Sequence, residues 1–328
     1  MRRHEPTSGG ASSPPDTPRR EAVSVVIPVY NKEPYLADTI DSVLSQTRLP
    51  EEIVVVDDGS TDESARIAAS YGPRIRLLQQ ANAGESSARN RGIEESTGEW
   101  IALLDGDDVW EPEKLERQLA AVGAAGDEPI CVYTDVYLFD DSGARIGEHR
   151  KPEYHAEDDW HVQMLCAWSI NPSTVLIRRS GLGDLRFPME VRHSEDMIFL
   201  VELRAQGSFL KLHETLVGYR RNQDNQTASP RHHLDSVASR WQWFLDNEHK
   251  YDENDKAQVR LCLARQLLPT FSLARFTTRD VGLAKECQRL YREIHPDPTG
   301  GNRSMRSRIY PEWTYRLWDH LRGATRGS

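Results

Sequence analysis

Residues 100–108 read WIALLDGDD: an apolar run from Trp100 to Leu104 passes directly into Asp105-Gly106-Asp107-Asp108. A continuous apolar run bounded by a turn signal predicts a strand covered on both faces, with the acids marking where it leaves the sheet. The same grammar recurs upstream, where IVVV at Ile53 to Val56 is followed by Asp57-Asp58-Gly59-Ser60. VSVVIPV at Val23 to Val29 and RIRLL at Arg74 to Leu78 supply two more strands. Between them lie amphipathic stretches, the first from Pro34 to Gln46 with Leu36, Ile40, Val43 and Leu44 on one face, another running through Ala88 and Ile93. Short apolar runs alternating with helices predict βαβ units, and open α/β sheets bind ligands beyond the carboxyl ends of their strands.

Further from that centre, Ser60-Thr61-Asp62-Glu63 has the form of a capping box, in which Ser60 and Glu63 satisfy two helix amides. Pro112 suits the first position of a helix carrying Leu115, Leu119 and Val122. Ile130 to Phe139 predicts a strand, Asp140-Asp141-Ser142-Gly143 a turn, and Thr174 to Ile177 another short strand. Ser194-Glu195-Asp196 opens a helix with Met197, Phe199, Leu200 and Leu203 inward. Strand signals stop near Asn225. Helices are expected over Leu234 to Glu248, Asp255 to Arg275, Arg279 to Ile294 and Pro311 to Leu321. The chain thus divides into a disordered leader (1–21), an α/β body (22–226) and a helical C-terminal region (227–328).

The 328 residues carry a formal net charge of −10, which argues against a general nucleic-acid binder, because phosphate recognition rests on fields of Lys and Arg. Cys131, Cys166, Cys262 and Cys287 form no CxxC pair, so neither a zinc site nor a disulfide framework is expected, and a reducing cytosol fits. The Pro-, Ser- and Gly-rich leader lacks the apolar centre of a signal peptide, and nothing later approaches the ~18 apolar residues of a membrane span. The expected location is cytoplasmic. Residues 302–328 carry +4 while the remainder carries −14, with Tyr310, Trp313, Tyr315 and Trp318 interleaved. Either this segment meets an anionic membrane surface or its aromatics pack on the helical region while its arginines pair with the acidic body.

Three carboxylates within four residues repel, each pair by about 4 kcal/mol at ~4 Å and an effective dielectric near 20. A divalent cation removes that cost, and hard oxygen ligands favour magnesium or manganese shared with substrate phosphates. Gly106 permits the bend that brings Asp105 and Asp107 together. The alternative is a solvated turn facing the positive end of the next helix. Asp57-Asp58 is either an acidic turn or a hydrogen-bond acceptor for a base or ribose. Glu195-Asp196 is either a helix-dipole complement or a general base. Pro28-Val29-Tyr30-Asn31-Lys32-Glu33 either offers the tyrosine ring to a base or ribose or is an ordinary strand-to-helix loop. Arg89 meets a phosphate or pairs with Glu85; Arg220 and Arg221 bind a diphosphate or pair with the acidic loops.

Five blocks in order, VSVVIPVYNKEPYL, IVVVDDGSTDES, NAGESSARNRGI, GEWIALLDGDDVWEPEKL and HSED, resemble the inverting GT-A glycosyltransferases of family 2. The match runs from about Val23 to Asp196 and more weakly to Tyr219. The resemblance implies a nucleotide-diphospho-sugar transferase fold, a Rossmann-like mixed sheet flanked by helices. It further implies that Pro28, Tyr30, Glu33, Asp58, Arg89, Asp105 and Gly106 line the donor site, UDP-sugar first. Asp105 and Asp107 match the DxD motif that holds Mn2+ or Mg2+, with Asp107 the direct ligand, and Asp196 matches the catalytic base. Glu195, Trp168 and Arg221 are the further expected acceptor or phosphate contacts. The acceptor hydroxyl belongs to a saccharide, lipid-linked glycan, peptide or small molecule. Asn222 stands where the family often has a histidine that serves cation or phosphate binding. Neither a QxxRW segment nor a membrane span accompanies the motifs, so a distributive enzyme is expected rather than a processive synthase.

Other classes are less well served. A dehydrogenase needs GxGxxG after the first strand, an NTPase needs GxxxxGK[ST], and a sugar nucleotidyltransferase needs an early glycine-rich loop ending in Arg or Lys. None is present. A non-catalytic relative that keeps the fold for binding nucleotide sugars is the remaining alternative.

Overall fold

The computed structural model describes residues 21–126, 128–149, 160–166, 170–221 and 229–295. In chain order the first half comprises β1 (Val23–Val29), α1 (Leu36–Leu44), β2 (Glu52–Asp57), α2 (Ser64–Ser70), β3 (Arg76–Gln79), α3 (Glu85–Glu95), β4 (Trp100–Leu103), β5 (Val109–Trp110) and α4 (Lys114–Ala124). Next come β6 (Cys131–Phe139), β7 (Arg145–His149), α5 (Trp160–Cys166), β8 (Leu176–Arg178), α6 (Arg179–Leu182), α7 (Glu195–Arg204) and β9 (Phe209–Arg220). Three long helices follow: α8 (Pro230–Asn247), α9 (Glu253–Ser272) and α10 (Val281–Ile294).

The strands form one sheet in the order β3-β2-β1-β4-β8-β6-β9-β5, with β7 paired to β6. β3, β2, β1 and β4 are mutually parallel, whereas β8 is antiparallel to both β4 and β6. The mixed sheet expected from the sequence is therefore present. Every residue of β1 is buried, because helices cover both faces. Val23, Val25, Ile27 and Val29 pack with α1 and α4 residues such as Ile40, Val43 and Leu115, while Val26 faces the opposite layer with Ile93 and Ile101. Strand periodicity of two makes that division, and each fully buried Val or Ile contributes roughly 1.5–3 kcal/mol.

α3 lies so close to β1 that a Cβ on Gly92 would fall 2.2 Å from Val26 Cγ1. That approach keeps Arg89, one turn earlier, against the sheet edge. The second layer continues without interruption into the C-terminal helices: Phe199 and Leu203 of α7 share one cluster with Phe244, Leu263, Phe271, Leu283 and Ile294. α8, α9 and α10 are thus packed onto the layer that also holds α7.

Several local expectations are corrected. No capping box forms: α2 begins at Ser64, and the Ser60 hydroxyl accepts from the Asn31 amide instead. Tertiary contact between two loops outweighs the local cap. Pro112 precedes its helix, which starts at Lys114. The run from Asp255 stays α-helical only to Ser272 and then widens into a π-turn at Leu273–Thr277, with Pro269 one turn upstream. A disulfide joins Cys166 of α5 to Cys262 of α9, contrary to the expectation from cysteine spacing. Their sequence separation is 96, so only packing of the helices brings them to a Cα–Cα distance of 5.7 Å. The leader through residue 20, the 227 boundary and the tail from residue 296 fall outside the described residues, as do Trp168 and Asn222.

Candidate active site

β4 delivers its acidic turn to the sheet edge beside the loop that follows β1. The three acids do not share one partner. Asp108 turns inward, accepting from the Ser173 hydroxyl at 2.7 Å and the Arg220 amide at 3.2 Å. Burial, then Asp107 and Asp105, pushes its carboxyl well above the usual carboxylate range. Ser173 in turn accepts from the Asp105 amide at 3.1 Å, so one hydroxyl fixes both ends of the turn.

Asp105 points to Arg89, whose Nη2 stands 2.8 Å from Asp105 Oδ1 and 2.6 Å from Glu85 Oε1. Nη1 of the same guanidinium lies 3.6 Å from Glu195 Oε1. Arg89 is only 2% exposed. Burial disfavours its charge, but Glu85, Asp105 and Glu195 more than offset that and raise its pKa. The guanidinium lies over the Phe187 ring at 5.1 Å, and Phe187 stacks on Phe199 of α7 with centroids 3.9 Å apart. Asn90 holds Phe187 by two backbone hydrogen bonds of 2.9 and 2.8 Å. Two successive residues of α3 therefore set the position of α7. Arg89 Nε and Nη1 are buried without a hydrogen-bond partner among the described residues.

α7 starts from Ser194, which adopts a left-handed backbone with φ 65° and meets Ser236 of α8 through its hydroxyl at 2.5 Å. Glu195 and Asp196 occupy the first turn, where the helix dipole favours carboxylates. Burial first, then Asp196, pushes the Glu195 carboxyl up to about 8 despite Arg89. Asp196 accepts from the Met197 amide at 2.7 Å and borders a small recess walled by Leu103, Pro172, Val175, Phe187, Phe199 and Leu200. Its charge acts on Glu85 and Glu195 on one side and on His232 and Arg240 of α8 on the other. Asp105, Arg89, Glu195 and Asp196 thus form one connected group.

Asp107 pairs with Lys32, a residue that spacing alone does not single out. The pair is not an interior one, since the lysine side chain is 32% exposed. The loop carrying Lys32 is clamped onto the loop after β2: the Asn31 amide donates to Ser60 Oγ at 3.0 Å, the Lys32 amide to Ser64 Oγ at 2.8 Å and the Glu33 amide to Asp62 Oδ2 at 3.0 Å. Glu33 accepts from the Glu63 amide at 3.2 Å. Tyr30, 47% exposed, presents its ring to solvent beside this clamp, and Pro28 lies buried near the end of β1. Asp58 is buried and accepts three hydrogen bonds of its own chain, from Gln80 Nε2 at 2.7 Å, Ala83 N at 2.9 Å and Gly84 N at 2.8 Å.

Gly106 does not take a positive φ; its requirement is space, because a Cβ there would meet the Pro28 carbonyl at 3.1 Å and Lys32 Cγ at 3.3 Å. Arg220, buried between the Tyr35 and Phe139 rings, donates to the Asp107 carbonyl at 3.0 Å and to Asp38 at 3.0 Å. It braces the acidic turn. Arg221 donates its amide to Phe139 O at 2.8 Å and sets its guanidinium against Tyr219.

Among the described residues no three His, Cys, Asp or Glu side chains gather as a metal cage. Asp105 Oδ2 and Asp107 Oδ1 nonetheless carry no hydrogen bond from any described residue. Two open carboxylate oxygens on neighbouring acids of one turn suit a magnesium- or manganese-like ion that completes its shell from a phosphate and water. The donor set fits such an ion.

Residues 24–185 match the family model described as Glycosyl transferase family 2. An uncharacterized glycosyltransferase of Rickettsia typhi is 30% identical over 68% of this chain and 71% of its own length. The putative glycosyltransferase EpsH of Bacillus subtilis is 35% identical over 54% of each chain. Among solved structures, S. aureus TarS 1–349 in complex with UDP aligns with a TM-score of 0.55 at 20% identity, over 83% of this chain and 82% of that one. The mannosyltransferase PcManGT from Pyrobaculum calidifontis, in complex with GDP-Man and Mn2+, gives 0.54 at 17% over 84% and 83%. Among the described residues, no helix is long and apolar enough to cross a membrane. The mixed sheet with its acidic edge is the GT-A fold, and the chain belongs to glycosyl transferase family 2 as a glycosyltransferase.

Proposed function

We propose that this chain transfers a sugar from a nucleoside-diphosphate sugar, a UDP-sugar foremost, to an acceptor hydroxyl with inversion at the anomeric carbon. The observation that carries the reading is the bridge through Arg89, which ties Asp105 at the end of β4 to Glu195 beside Asp196 at the start of α7. In this reading the donor and acceptor machinery lie on either side of that bridge.

In this reading the nucleoside lies over Tyr30 and between Pro28, Glu33 and Asp58. Asp105 and Asp107 hold Mn2+ or Mg2+. Such an ion supplies Lewis-acid stabilisation of the departing diphosphate. Asp196 accepts the proton of the attacking hydroxyl, at the positive end of α7, where an ionised carboxylate is favoured. A single displacement with one base gives inversion. Glu195, drawn toward Arg89, orients that cation, while Arg221 faces the phosphate or acceptor side. The acceptor is a saccharide, lipid-linked glycan, peptide or small molecule in polysaccharide, glycolipid or glycoconjugate synthesis.

The test is donor turnover. UDP-GlcNAc and GDP-Man, each with and without Mn2+, are incubated with the protein and nucleoside diphosphate release is followed. Metal-dependent release of UDP, with the opposite anomer by NMR, supports the proposal; no release from any nucleotide sugar at any metal concentration overturns it.

A further inference from the structure

Resting on the donor-site reading above, one ion pair goes beyond it. Lys32 donates its ammonium to Asp107 Oδ2, the carboxylate assigned to the metal. The lysine is held there by its backbone, through the bond from its amide to Ser64, and by its stem, which lies against the Gly106 position. Among the described residues, two cations pair directly with the cleft acids Glu85, Asp105, Asp107 and Glu195, and these are Arg89 and Lys32. Arg89 is buried and committed to three acids. Lys32 is on a loop and one-third exposed, so of the two it is the cation that can move.

We propose that Lys32 is a resident counter-cation of Asp107 that a divalent ion displaces, and that the released ammonium then partners the donor's diphosphate. Charge accounting favours the exchange. A free divalent ion must compete with an ammonium already on Asp107, whereas an ion arriving with a diphosphate brings the anion that the displaced ammonium needs. Metal and nucleotide therefore bind cooperatively through this residue, each raising the other's affinity by the same factor. Lys32 acts as a positioning and coupling residue.

The experiment measures Mn2+ binding by electron paramagnetic resonance, without nucleotide and with saturating UDP or GDP, in the wild type, Lys32→Met and Asp107→Asn. The Lys32–Asp107 pair is partly buried, with the lysine one-third exposed, and removing its ammonium is expected to make Lys32→Met bind Mn2+ alone about threefold to fivefold more tightly. The enhancement of Mn2+ binding by nucleotide is expected to shrink by at least as much. Asp107→Asn is expected to lose Mn2+ binding. If Lys32→Met leaves both quantities unchanged while Asp107→Asn abolishes binding, the metal site stands and the counter-cation role is overturned. If no form binds Mn2+ even with nucleotide, the metal reading itself falls and this proposal with it. Circular dichroism on each variant verifies the fold, and Lys32→Arg, which restores a cation, is expected to return the weak metal binding of the wild type.

Discussion

Arg89 Nη2 lies 2.8 Å from Asp105 Oδ1 while Nη1 of the same guanidinium lies 3.6 Å from Glu195 Oε1, so one buried cation spans the end of β4 and the start of α7. Neither carboxylate is near the other in sequence. Their shared partner on α3 holds the acidic turn and the start of the helix that carries Asp196 side by side.

Removing that cation strips Glu85, Asp105 and Glu195 of the partner they share. Arg89→Met is therefore expected to cost about 3–5 kcal/mol in stability, the range for breaking one side of a buried pair. Arg89→Lys recovers only part of this, because an ammonium cannot reach Glu85, Asp105 and Glu195 in a planar fork. Urea unfolding of the metal-free protein measures both. Unchanged midpoints would show that the guanidinium is not the bridge described.

The Glu195 carboxyl gives a signature in pH. Its folded value, pushed up to about 8 by burial and then by Asp196, lies above the 4.5 of an ordinary glutamate. Between those limits the folded state binds more protons than the unfolded state, so this group's contribution is fully present below pH 4.5 and is lost as pH rises toward 8. Glu195→Gln should flatten that fall in the metal-free protein. Urea midpoints compared across roughly pH 5 to 8 decide it, and parallel slopes in the two proteins would contradict the assignment.

The Cys166–Cys262 bond closes α5 against α9 across a long stretch of chain. Reduction is expected to lower stability by about 2–4 kcal/mol, chiefly by freeing the unfolded chain. Thermal melts with and without a phosphine reductant provide the measurement. Cys131 and Cys287 are free and buried, and so are expected not to report in thiol labelling of the folded protein.

The parallel half of the sheet is plain in the sequence because β1, β2 and β4 are buried on both faces and read as unbroken apolar runs. β5, β7 and α5 are not legible there. The first has two residues, the second is a mostly exposed hairpin arm, and the third is seven residues long. None carries a periodicity that composition reveals. In the site, Asp105, Asp107 and Asp196 are readable as strand-end and helix-start acids, whereas Lys32 and Ser173 are not. Their roles depend on where a loop after β1 and a turn before β8 arrive in space. The disulfide is hidden for the same reason, and the capping-box signature at Ser60 misleads because that hydroxyl serves a neighbouring loop.

In the proposed mechanism Asp196 is the base that acts beside the bound donor. Calorimetric titration of nucleotide sugar with Mn2+, paired with a transfer assay, tests it in Asp196→Asn. Donor affinity within about twofold of the wild type and a fall in turnover of at least about 10²-fold, the scale of general-base loss, is the predicted result. Transfer at the wild-type rate by Asp196→Asn would contradict it.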